Sequence, residues 1–264
     1  MSNPSRWFPL LLALALSGPL TTTPLPAQAS RLTIEYLANE GVLLTADSSV
    51  VLIDGLFGDG LDGYPTVQRP VRDSLERGLG RFAEIDLVLV THVHRDHFDA
   101  PALARHLRAN PRARVAGSTQ VRDSLRALAG WTDPTRTTAI RPDPSNPLSF
   151  RVGAITVEAH GIPHPTSRNQ PVEHLVWVIT LNGVRVMHAG DSSPSPAELG
   201  TAAGSGVNVF LAPAWILGGA RGAERIAATR ASQVAAIHLG EADASIPARR
   251  AIQLLLPGQR VEVR

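Results

Sequence analysis

The chain has 264 residues, of which 44% are hydrophobic and 18% charged, with a formal charge of +2; this composition excludes a disordered chain and supplies a sizeable core. There is no Cys, which excludes a disulfide framework, Cys-ligated zinc, an iron–sulfur cluster and a Cys nucleophile. All 25 basic residues are Arg, so no Lys can serve a phosphate loop or a Schiff base, and the near-neutral balance argues against a nucleic-acid partner.

Residues 1–29 have the layout of a secretory signal. Arg6 is the only charged residue before Arg31, a Leu/Ala run follows through Leu16, and Ala27-Gln28-Ala29 closes the segment. The apolar run is about ten residues, half of what a membrane-spanning helix needs. Cleavage is expected after Ala29. That leaves 30–264 as one domain with no stable membrane anchor, in the periplasm or outside the cell.

Alternation in Leu32–Leu37 predicts a strand, and Val42–Thr45 and Val50–Ile53 continue it as an antiparallel meander around an Asp47-Ser48-Ser49 turn. Residues 55–80 read as a Gly/Asp-rich loop with a short helix near Arg72–Arg77. Ile85–Val90 is a buried strand running directly into Thr91-His92. Asp99 caps a helix carrying Pro101 in its first turn, Ala113–Ala116 is a strand, and Ser118 caps a helix to about Leu128. Residues 131–148 form a loop with an edge strand near Thr138–Ile140. Strands follow at Ile155–Ala159, Leu175–Leu181, Val184–His188, Val207–Ala212 and Val234–His238, with an Asn182-Gly183 hairpin turn. Helices are expected at Ala220–Arg230 and Pro247–Leu255. The pattern predicts two sheets covered by helices in one domain.

Chemistry concentrates at DLVLVTHVHRDHF, residues 86–98. Three His and an Asp within six positions, directly after an apolar strand, make a poor core and a poor strand. They match instead the imidazole and carboxylate set that holds zinc and its first-row neighbours. His92 and His94, two apart on extended chain, can converge on one ion, and Asp96 and His97 can turn toward a second.

With this motif the sequence resembles the metallo-β-lactamase-fold superfamily, whose hallmark is T-H-x-H-x-D-H after a strand. The resemblance extends over residues 31–264 through Val51-Leu52-Ile53-Asp54, Ile162-Pro163-His164, Ala189-Gly190-Asp191 and Ile237-His238 in the family's order. It implies an α/β fold (α+β in some schemes) with a four-layer αββα sandwich. It further implies one metal on His92, His94 and His164, a second on Asp96, His97 and His238, and Asp191 as the bridge. An Asp at that bridging place, in a chain without Cys, is similar to the broad hydrolase branch rather than to true class B β-lactamases. The expected cofactors are two divalent ions, zinc first, with manganese or iron also suited to a His/Asp shell. The expected activity is hydrolysis of an ester, lactone, thioester, amide or phosphodiester in a small-molecule substrate, with Asp96 both binding metal and orienting the attacking hydroxide. Two other readings fit the same fold: a catalytically inactive metal- or ligand-binding protein, and a secreted nuclease.

Some assignments stay open on sequence alone. His160 and His164 both flank Gly-Ile-Pro; the two Pro around His164 favour it as the ligand. Asp54 either orients a ligand His or is a turn residue. His188 either supports the Asp191 loop or sits at the core edge. His174, opening a strand near the mouth, either touches substrate or lies at the surface, with the surface favoured; His106 is expected to face solvent. Trp215, Ile216 and Leu217 either line a pocket or fill the core, and Arg221 and Arg225 either meet an anionic substrate or face solvent.

Overall fold

A computed structural model describes residues 31–131, 133–165, 171–240, 251–253 and 256–263. The proposed signal at 1–29 lies outside them. Two seven-stranded sheets run through the molecule. In the first, β1 (Leu32–Ala38), β2 (Gly41–Ala46) and β3 (Ser49–Ile53) form the expected antiparallel meander. Then β4 (Leu87–Leu89), β5 (Arg114–Ser118) and β6 (Thr137–Ile140) add in parallel, and β14 (Arg260–Val263) closes the other edge against β1. The second sheet holds β7 (Leu148–Val152), β8 (Ile155–His160), β9 (Val176–Leu181) and β10 (Val184–His188) in antiparallel order. It continues in parallel through β11 (Val209–Pro213), β12 (Gln233–Ile237) and β13 (Ala251–Gln253). Asn182 and Gly183 both take positive φ between β9 and β10, as a two-residue hairpin turn requires.

The period-two pattern of the strands sorts side chains into three cores. Ile34, Leu44, Val51 and Leu89 of the first sheet meet Val157, Trp177, Val186 and Leu211 of the second in the central layer. The alternate residues Leu43, Leu52, Val88 and Val115 pack on helices α1 (Arg69–Glu76), α2 (Ala100–Ala109) and α3 (Thr119–Arg126) through Leu75, Leu103, Leu107 and Leu125. Val178, Met187, Phe210 and Val234 meet α4 (Pro196–Ala203), α5 (Ala214–Leu217) and α6 (Gly222–Thr229) through Leu199, Ala202, Ile216 and the partly buried Ile226. The result is the four-layer αββα sandwich. Asp99 and Ser118 cap α2 and α3 as expected, accepting from the amides of Ala102 and Val121. Opposite strand faces packing on different layers is what places strand ends, rather than strand faces, at the sandwich mouth.

Three expectations are corrected. Ala251–Gln253, inside the expected helix Pro247–Leu255, is a strand paired in parallel with β12; sheet-edge pairing overrides the helix preference of Ala and Gln. The remaining residues of that helix, 247–250 and 254–255, lie outside the described ones. His174 is not at the surface but 2% exposed, because its ring turns inward to donate from Nδ1 to the Ile162 carbonyl at 3.0 Å. His106 is not solvent-facing but fully buried. Its Nδ1 donates to the Leu75 carbonyl at 2.6 Å, tying α2 to the end of α1.

Burial holds the His106 imidazole below its ordinary pKa. The folded state therefore refuses a proton that the unfolded chain accepts near pH 6.5. Stability from this ring is complete above that pH and is lost as pH falls toward the depressed folded value. Buried His160, His174 and His188 are shifted in the same direction. A His106→Gln variant is expected to lose part of the fall in Tm between about pH 7 and pH 5; an unchanged fall would show that His106 does not titrate this way.

Candidate metal centre

The first sheet delivers its donors where β4 ends. The chain leaves Leu89 extended through Thr91 and His92, then turns: the His94 carbonyl accepts from the amides of His97 and Phe98 at 3.1 and 2.9 Å. That turn swings Asp96 and His97 back beside His92. From the second sheet, β8 leads through Ile162-Pro163 to His164, β10 leads through Ala189-Gly190 to Asp191, and His238 follows β12 directly.

All seven residues singled out in the sequence converge. His92, His94, His164 and Asp191 form one group, and Asp96, His97, Asp191 and His238 form another, each with candidate ligand atoms within 4.8 Å of one another. Asp191 belongs to both. In the second group, His97 Nε2 lies 3.4 Å from both Asp96 Oδ2 and Asp191 Oδ1, and His238 Nε2 lies 3.4 and 3.6 Å from the same two atoms. Four ligands about 2.05 Å from a tetrahedral ion stand about 3.3 Å apart, so the spacing suits one cation. The first group is looser, with separations from 3.0 Å (His92 Nε2 to His94 Nδ1) to 4.0 Å (His92 Nε2 to Asp191 Oδ2). His160 stays out of both groups and faces Glu158 at 3.9 Å.

The far sides of three of the rings are also organised, while His238 Nδ1 has no partner among the described residues. His97 Nδ1 donates to Asp54 Oδ2 at 2.9 Å, and His164 Nδ1 donates to the Pro165 carbonyl at 2.6 Å. The Thr91 hydroxyl gives its proton to Asp54 Oδ2 at 2.5 Å, so His92 Nδ1 is the donor in its 2.9 Å contact with Thr91 Oγ1. Committing Nδ1 protons this way leaves Nε2 lone pairs facing inward, the arrangement that metal-ligating His requires. His97 Nε2, His164 Nε2, His238 Nε2 and Asp191 Oδ1 are buried without a hydrogen-bond partner. Buried polar atoms normally have one, and a cation in each group would satisfy all four.

The carboxylates draw positive charge to the same place. Burial alone would raise the Asp191 carboxyl, but the neighbouring His97 and His164 rings hold it well below the ordinary range. Burial likewise opposes ionisation of Asp96, and the His238 and His97 rings outweigh it. His97 is the converse: burial disfavours its charge, yet Asp191, Asp54 and Asp96 hold its pKa well above normal. Burial, then the nearby His97, lowers His92. Burial, then the Asp191 carboxylate opposing it, leaves His174 pushed down to about 3.

Asp54 orients His97 and also takes the Thr91 amide at 2.9 Å. His188 is fully buried and carries the Asp191 loop: its Nδ1 accepts from the Gly190 amide at 3.3 Å, while Nε2 donates to the Glu40 carbonyl at 3.0 Å. Gly190, at φ +53°, demands glycine, since a Cβ would stand 2.5 Å from His174 Nε2 and 2.9 Å from Thr91 Cβ. Sequence reasoning gave no role to two neighbours. Asn39 donates to both the backbone carbonyl and Oδ2 of Asp96, at 3.1 and 3.2 Å, and its carbonyl receives the His238 amide at 2.9 Å. Glu40 is fully buried beside His97 and His188, and burial together with the Asp191 charge raises its pKa well above normal. Two polar residues between apolar strands, Asn39-Glu40 before Gly41, are the signal available for both. Asn39, Asp54 and His238 all hold left-handed backbone, at φ 52°, 44° and 51°. Non-glycine residues there cost about 1 kcal/mol each, and such strain gathers at functional sites.

Trp215 is 39% exposed and packs edge-on against His238 with ring centroids 5.0 Å apart, so it lines a cavity rather than filling the core. Ile216 and Leu217 do fill the core.

Residues 50–252, more than half of the chain, match the family model described as beta-lactamase superfamily domain. Comparison with curated proteins finds no match. Among solved structures, the metallo-beta-lactamase fold protein YhfI from Bacillus subtilis superposes with TM-score 0.60 at 17% identity, covering 88% of this chain and 99% of that one. The metallo hydrolase Igni18 from the archaeon Ignicoccus hospitalis superposes with TM-score 0.59 at 16% identity, covering 89% and 99%. CmlA, a diiron beta-hydroxylase from Streptomyces venezuelae, gives TM-score 0.59 at 17% identity, covering 88% and 54%. At these identities the likeness is one of fold.

Proposed function

We propose, from the premise that the chain belongs to the beta-lactamase superfamily domain family and shares its fold with a metallo hydrolase and a metallo-beta-lactamase fold protein, that it is a dinuclear metal-dependent hydrolase acting on a small molecule. One observation carries this reading: two four-donor groups share Asp191, with buried nitrogen and oxygen atoms turned inward and partnerless. His92, His94 and His164 would hold one divalent ion, Asp96, His97 and His238 the other, and Asp191 would bridge them. When bound, such a pair supplies Lewis acidity that ionises a water and polarises the bond to be cleaved. Zinc fits the four-donor second group first; a His/Asp set also takes manganese or iron.

The chain's own residues have distinct tasks in this reading. Asp96, fixed by the Asn39 amide and held as a carboxylate, accepts and orients the proton of the attacking water. Asp54 and Thr91 keep His97 and His92 in the tautomer that binds metal. The bond cleaved is an ester, lactone, thioester, amide or phosphodiester.

Metal analysis of purified protein, followed by assay on ester, lactone, β-lactam and phosphodiester probes, tests this. Chelation is expected to remove metal and turnover together, and re-addition of zinc to restore both. His94→Ala is expected to lose both permanently. Full turnover by the chelated protein, or by His94→Ala, would end the proposal. Delivery to the periplasm or beyond is proposed from residues 6–29; N-terminal sequencing of exported protein should begin at Ser30, and export with Met1 retained would contradict it.

A further inference from the structure

Beside the second donor group lies a cavity of about 590 Å³ whose lining includes Tyr64, Trp215, Arg221 and Arg225. Its position is fixed by two ring contacts: Tyr64 and Trp215 each meet the His238 imidazole edge-on, at 4.6 and 5.0 Å. The Trp215 indole is held in place, since Nε1 donates to the Ser192 carbonyl at 3.2 Å, one residue from Asp191. A large aromatic face left 39% exposed at the edge of a His/Asp cluster is apolar surface awaiting a partner.

Among the described residues, the charge lining this cavity is of one sign. Arg225 Nε donates to the Pro194 carbonyl at 3.0 Å and Nη1 to the Trp215 carbonyl at 3.3 Å, so the guanidinium is oriented by neutral groups. Among the described residues no carboxylate pairs with it. Among the described residues Arg221 pairs only with Glu224, at 3.3 Å with both side chains more than half exposed, a pairing worth little in water. Among the described residues no Asp or Glu lines the cavity. An oriented guanidinium is a carboxylate receptor.

We infer that this cavity is the recognition subsite for a substrate carrying a carboxylate and an aromatic or bulky apolar body, the body lying on Trp215 and the carboxylate directed to Arg221 and Arg225. The assignment rests on the hydrolase reading for its meaning, but binding can be measured without turnover.

The probes are phenylacetate and its near-isosteric neutral counterpart phenylacetamide, titrated calorimetrically into the full chain as purified, at low salt. Phenylacetate is expected to bind about ten-fold more tightly, a difference of about 1.4 kcal/mol, and the preference is expected to shrink at high salt. Arg225→Gln and Arg221→Gln should each reduce the preference, and Trp215→Ala should weaken both probes. Arg225 also braces two carbonyls, so Arg221→Gln, whose head touches only exposed Glu224, keeps the test valid if the other variant does not fold. Equal binding of the two probes, no binding of either up to about 10 mM, or an anion preference unchanged in the Arg variants would overturn the subsite. The last outcome would place the anion on metal instead. Metal content measured on the same samples separates the two readings. Metal and turnover without Arg-dependent binding sink the subsite alone, whereas Arg-dependent binding by a chain that takes up no metal sinks the hydrolase alone.

Discussion

Asp191→Asn is expected to abolish paired metal binding and hydrolysis while leaving the fold intact. The substitution keeps the shape of the side chain and removes its charge. Asp191 is the residue common to both donor groups, and its carboxylate is the leading influence that raises the pKa of His97 against burial. An amide oxygen is a weaker ligand and cannot bridge as an anion. The loss in metal affinity should exceed the 10–100-fold typical of removing a mere outer support. Metal analysis, turnover and circular dichroism on one preparation give the answer. A folded Asp191→Asn protein that retains two ions and its turnover would remove Asp191 from the site.

Asp54→Ala is expected to damage stability and metal affinity at once. Asp54 accepts from the Thr91 amide, the Thr91 hydroxyl and His97 Nδ1, at 2.9, 2.5 and 2.9 Å, all buried. Each of the three buried donors left without an acceptor costs about 1–3 kcal/mol. A total of at least about 3 kcal/mol is a large share of a typical domain's 5–15 kcal/mol. Asp54→Asn tolerates the backbone and retains an acceptor, so it should fall between wild type and Asp54→Ala in urea midpoint. In both variants a freed His97 should weaken metal binding by about 10–100-fold. A midpoint for Asp54→Ala within about 0.5 kcal/mol of wild type would show that this network is not structural.

Local patterns carried much of this molecule. The apolar runs that end at His92 and His238 show where buried parallel strands stop, and the D-A-P and G-S-T segments show where α2 and α3 start, because caps and periodicity are short-range. Edges were harder to read. Strand β7 has Leu148 at 44% exposure and follows four Pro in a loop-like stretch, and β14 owes its state to pairing with β1 some 225 positions away. The Ser195-to-Glu198 capping box of α4 is a helix signal masked by the Ser and Pro around it. His106, His174 and Glu40 show the remaining gap: a polar side chain reads as surface until the fold supplies a buried carbonyl or a neighbouring ring. Convergence of His164, Asp191 and His238 on the first cluster came from family resemblance and motif order, since no local rule brings residues so far apart together.

The division of donors between the sheets has a consequence for assembly. Each group of four takes two members from the chain after β4 and two from the second sheet: His92 and His94 with His164 and Asp191, Asp96 and His97 with Asp191 and His238. On the proposed reading, neither half of the chain can grip an ion well before the other docks against it. During synthesis the second set stays incomplete until β12 has emerged. Cation capture would then act as a clasp that closes last, and ion occupancy would gauge how many molecules have brought the two halves into correct register.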